Sequence, residues 1–80
     1  MAKSNVNAAY MRMLVADELW DTLFFATGQH PEKEKTKDYT ILRVPGFAEV
    51  KIHSHRKIYV NGDFCRYSPE AKFVIQEMIQ

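Results

Sequence analysis

Eighty residues suffice for one hydrophobic core and not for two, and a chain of that length buries only about 60% of its unfolded surface. An apolar fraction of 46%, charged residues at 26% and a net charge of +1 exclude a disordered polyampholyte and a strongly basic, histone-like chain. Cys65 stands alone and excludes an internal disulfide. No charged-then-apolar leader with a small-residue cleavage site is read at the start, so the compartment expected is a reducing, cytoplasmic one. Arg12, Asp17, Glu18 and Asp21 interrupt the longest apolar stretches, far short of the ~20 residues a spanning helix needs, so no membrane association is expected.

From Asn5 to Thr27 the chain lacks proline and glycine and is rich in alanine, leucine and methionine, which predicts a helix over about residues 5–27. Ser4, Asn5 and Asn7 each offer a side-chain oxygen for the N-cap, and Gly28 stands where a helix end takes a left-handed residue. On a helical wheel Ala9, Ala16, Leu19, Trp20, Leu23 and Ala26 share the core side, while Asn7, Asp17, Glu18, Asp21 and Thr22 lie opposite. Tyr10, Leu14 and Phe25 fall among the polar set, more apolar surface than a helix covered on one side carries. Arg12 sits on the core side, where it either snorkels outward or pairs with a buried carboxylate or an anion.

Residues 28–38, which include HPEKEKTKD, have mixed charge and no apolar pattern beyond a proline, and read as a solvated loop. The period then becomes two. Thr40, Leu42 and Val44 oppose Tyr39, Ile41 and Arg43, and after Pro45-Gly46 the set Ala48, Val50, Ile52 opposes Phe47, Glu49, Lys51, His53. Ser54-His55 marks a reversal, after which Ile58 and Val60 point inward and Lys57 and Tyr59 outward. Asn61-Gly62 is the strongest local signal, since both central positions of a type I′ turn need positive φ. It folds Asp63 to Tyr67 back as a further strand within the span 39–67. Ser68-Pro69-Glu70 opens a second helix over 69–79, with Ser68 as N-cap, that buries Val74, Ile75 and Met78 beside Ala71. The fold class expected is α+β in one domain, residues 1–80: a long N-terminal helix, a three- to four-stranded antiparallel sheet and a short C-terminal helix.

No constellation for chemistry is assigned, and the chain reads as non-enzymatic and without cofactor. His53 and His55 form an H-x-H pair, and alternation would set both imidazoles on one side about 7 Å apart. A zinc site needs a third ligand, and His30 and Cys65 stand in no recognisable spacing with the pair, so no metal is assigned. Cys65, His53 and Asp63 supply the residue types of a nucleophilic trio, but Cys65 in a short strand reads as a small packing residue. Gly28, Gly46 and Gly62 are isolated, which disfavours a phosphate loop.

Charge is unevenly distributed: residues 51–67 carry a net +3, against −1 for residues 1–30 and −1 for residues 68–80. Lys51, His53, Arg56, Lys57, Tyr59 and Arg66 are therefore the candidate contacts for RNA or another polyanion, cations for phosphates and a ring for stacking. A wet sheet face must carry something polar, and lysine also guards sheet edges, so charge alone leaves that simpler reading open. The order helix, strands, helix resembles in topology the double-stranded RNA-binding domain over residues 5–79. Ser68-Pro69-Glu70-Ala71-Lys72 supplies one lysine where that family places several. The alternative function is a protein-binding inhibitor of the kind small phage genes encode, an antitoxin or anti-defence protein. It would engage a host protein, or a second copy as a homodimer, through Tyr10, Leu14 and Phe25.

Overall fold

The computed structural model describes residues 3–79, with side-chain surroundings from 8 to 78. Its elements are α1 (Lys3–Thr27), β1 (Glu32–Lys35), β2 (Thr40–Val44), β3 (Ala48–Ser54), β4 (Lys57–Val60), β5 (Asp63–Cys65) and α2 (Ser68–Ile79). The five strands form one antiparallel meander in chain order. Both helices lie on the same face, α1 over β2 and β3, α2 over β4 and β5, and they also pack on each other. Neither is long and apolar enough to cross a membrane among the described residues.

The core follows the two periods of the sequence. Val15, Ala16, Leu19 and Leu23 from α1 meet Leu42, Val44, Ala48, Val50, Ile52, Ile58, Val60 and Cys65 from the sheet, closed by Ala71 and Ile75 of α2. Of the residues expected inside, Trp20, Ala26 and Val74 are half-buried, while Ala9 and Met78 are exposed. Trp20 turns outward because its indole Nε1 donates to the Pro31 carbonyl at 3.1 Å and its ring stacks on Phe24. That corner closes the passage from α1 to β1.

Three expectations need correction. The charged segment 28–38 is not all loop, since Glu32–Lys35 is an edge strand paired to β2 from Glu32↔Arg43 to Lys35↔Thr40. All four of its side chains are exposed, so this edge strand needs no apolar face, and charges there deter pairing with other chains. Ser4, Asn5 and Asn7 lie within α1, which begins at Lys3, and not at its N-cap. Ser68 is likewise already helical: the Ala71 amide donates to the Tyr67 carbonyl at 3.1 Å, and just ahead of the helix Glu70 Oε1 accepts from the Arg66 amide at 3.0 Å.

The turns behave as their residues require. Gly28 (φ 75°) ends α1 with its amide on the Phe24 carbonyl at 2.8 Å. Asn61 (φ 51°) and Gly62 (φ 88°) form the tight β4–β5 hairpin. Asn61 is also tied to β3: its amide donates to the Glu49 carbonyl at 2.8 Å and its Oδ1 accepts from the Glu49 amide at 2.7 Å.

Candidate nucleic-acid interface

With both helices on one side, the other face of the sheet is left open. The ladder determines what stands there. Glu34, Ile41, Lys51, Tyr59 and Phe64 form one row across all five strands, and Glu32, Arg43 and Glu49 form the row beside it. Tyr39 and His53 lie beyond the first row on the opposite side, their rings meeting edge-on at 5.4 Å. Tyr59 and Phe64 lean together at 5.7 Å, and the Lys51 ammonium lies 6.0 Å from the centre of the Tyr39 ring. The tyrosines are half-buried and Phe64 is exposed.

Between these rings the face holds a depression of about 250 Å³ lined by Tyr39, Glu49, Lys51, Tyr59 and Gly62. Glu49 in it is held from behind. Arg43 donates through Nε to Glu49 Oε2 and through Nη1 to Glu34 Oε1, both at 2.9 Å. The two carboxylates raise the pKa of the Arg43 guanidinium above its ordinary value, Glu34 contributing most. This bridge neutralises one cation of the face and concentrates acid at that end.

The register also sorts charge along the strands. The β1–β2 and β3–β4 turns and the end of β5 all lie at one end of the sheet, and with them Lys35, Lys37, Arg56, Lys57 and Arg66. Continuing the β4–β5 ladder one step past Ile58↔Cys65 sets Lys57 opposite Arg66. Glu32, Glu49 and Asp63 lie toward the other end, beside the Pro45-Gly46 and Asn61-Gly62 turns.

The six residues expected in a polyanion site thus divide into two neighbouring groups. Lys51, His53 and Tyr59 belong to the ringed open face, with Lys57 at its end by alternation, while Arg56 in the turn and Arg66 after β5 flank Lys57. His55 does not join His53. The ladder shifts register between Ile52 and Ser54, and His55 falls in the following turn, so the same-face imidazole pair is not formed. No cluster of three metal-ligating residues occurs among the described residues.

Tyr39, Glu49 and Phe64 were not among the candidate contacts, although alternation along their own strands already turns them outward. A two-residue Asn61-Gly62 turn fixes the pairing Tyr59↔Phe64, so Phe64 could have been found from that turn alone. Glu49 shares the face with Lys51 by alternation along β3, whereas Tyr39 becomes a neighbour of Lys51 only through the β2–β3 register.

The remaining singled-out residues lie elsewhere. Tyr10 and Leu14, at 55% and 41% exposure, are one turn apart on α1, with Met13 beside them. Phe25, 82% exposed, lies eleven residues beyond Leu14, about 16 Å along the axis. Asp17, Glu18 and Asp21 intervene, so the expected apolar stripe is two separate patches. Among the described residues Arg12 pairs with no carboxylate; its Nε donates to the His53 carbonyl at 2.9 Å and pins α1 to β3. Cys65 is buried, and burial, with Glu70 and Asp63 nearby, pushes its thiol pKa up, the direction opposite to activation.

Comparison of the chain with protein-family models, with curated proteins and with solved structures finds no match.

Proposed function

We propose that this chain is a small binding protein that holds single-stranded RNA against the open face of its sheet. The observation that carries the reading is the placing of the Tyr39 and Tyr59 rings beside Lys51, with Phe64 next to Tyr59, near the end where Arg56, Lys57 and Arg66 collect. Rings on a flat face accept unpaired bases, each worth about 1–3 kcal/mol by truncation, and the cations beside them meet the phosphates. The Glu34–Arg43–Glu49 bridge orients the strand, because phosphates avoid its carboxylates and favour the basic end.

Fluorescence anisotropy with a labelled single-stranded RNA of a dozen nucleotides tests it. Affinity is expected to fall steeply between 50 and 200 mM salt, with a slope of about −0.7 for each phosphate neutralised. Lys51→Glu with Lys57→Glu should weaken binding and flatten that slope. Binding that ignores both salt and charge reversal would remove the reading.

A second reading rests on a separate observation, the exposure of Tyr10, Met13 and Leu14 together on α1. Such a patch suits a protein partner, either a host protein that the chain occludes as an inhibitor or a second copy. It does not compete with the first for residues.

A further inference from the structure

The depression on the open face has the make-up of a receptor for one base. Its volume, about 250 Å³, lies just below the range of about 300–1,000 Å³ usual for drug-sized ligands, so it suits a single heteroaromatic ring system. Two tyrosines wall it, and Gly62 leaves its rim without a side chain. Glu49 and Lys51, whose backbones stand about 7 Å apart on β3, present an acceptor and a donor on the same face. The Lys51 ammonium is drawn to the Tyr39 side. The Glu49 carboxylate is oriented by Arg43, yet each of its oxygens has two lone pairs, so both can still accept.

The four bases differ in what they offer such a pair. Uracil presents a single N–H between two carbonyl oxygens. Adenine and cytosine each present one amine beside a ring acceptor. Guanine alone sets two parallel donors, N1–H and the N2 amine, next to an acceptor, O6. A carboxylate meets two parallel donors as it meets the fork of an arginine, and an ammonium meets O6. We propose that the depression takes one unpaired guanine, stacked between Tyr39 and Tyr59, with Glu49 accepting from N1–H and N2–H and Lys51 donating to O6. This rests on the reading of the open face as a single-stranded RNA surface, and it adds base preference to a site otherwise indifferent to sequence.

The test titrates the chain with labelled nonamers of uridine whose central residue is uridine, cytidine, adenosine, guanosine or inosine. The guanosine probe is expected to bind about tenfold tighter than the all-uridine one, with adenosine and cytidine near the latter. Inosine, which lacks only the exocyclic amine, should fall between guanosine and uridine. In Glu49→Gln the advantage of the guanosine probe over the all-uridine probe should drop below about twofold. Equal affinity for all five probes, preference for another base, inosine equal to guanosine, or an advantage that survives Glu49→Gln would each overturn the guanine site. In those cases salt-dependent binding of the all-uridine probe leaves the RNA surface standing. Absence of binding to every probe at low salt overturns the surface and the guanine site together. The comparison of probes on the unaltered chain does not depend on any variant folding.

Discussion

Glu18 shows how one side chain joins two elements. Its carboxylate takes Lys72 Nζ at 2.6 Å, binding the middle of α1 to the N-terminal half of α2. The Lys72 ammonium holds the Glu18 pKa below the ordinary carboxylate range against the opposing effect of partial burial. A carboxylate whose folded pKa is depressed stabilises the fold above its unfolded pKa, near 4.3, and that stability is lost as pH falls through the folded value. Both side chains are more than a third exposed, so solvent screens the pair. Lys72→Met should therefore cost only about 0.5 kcal/mol at pH 7, and the difference from the parent chain should shrink progressively as pH falls below about 4. Urea melts over that range read this directly, and a difference that does not change with pH would assign the loss to packing of the lysine stem. None of this was visible from the residues in order: Glu18 and Lys72 are far apart in sequence.

Elements were legible where one face had to be buried. The alternations in β2, β3 and β4 mark side chain sets that must leave water, and these are in the core; the helical period of α1 marked Ala16, Leu19 and Leu23 there but also Ala9, which is exposed, and not Val15, which is buried. β1 left no such mark, since its Glu-Lys-Glu-Lys run is exposed throughout and owes its shape to pairing with β2, to Arg43–Glu34 and to Lys33–Asp17 at 3.7 Å. An edge strand held in that way opens locally at little cost. In native-state hydrogen exchange the amides of Lys33 to Lys35 should lose protection well before those of Val50 and Ile52 in central β3. Equal protection across the sheet would show that β1 unfolds only with the whole domain.

The whole molecule has a basic end, an acidic end and a face without helices, and its principal extents of 43 × 21 × 19 Å reflect a long α1 beside a shorter sheet. The Tyr10–Leu14 patch lies on the same N-terminal half of α1 as Arg12, which reaches the end of β3. Sedimentation measured over a range of concentrations tests the patch as a self-association surface. The expectation is a concentration-dependent dimer that Leu14→Glu returns to monomer while single-stranded RNA affinity stays unchanged. A parent chain that sediments as a monomer throughout would eliminate the homodimer and leave a different protein as the patch's partner.

Local chemistry was enough to determine the order of most elements, the inward residues of the central strands and the Asn61-Gly62 hairpin, because burial periods and positive-φ turns are properties of neighbours in the chain. Which cations stand together was decided by tertiary structure. Cross-strand register is what brings Lys57 and Arg66 to one end of the sheet and sets Tyr39 and Tyr59 beside Lys51 and Glu49 around one depression. The placement of both helices on one face is likewise a packing outcome, and it is this that leaves the opposite face open to a ligand.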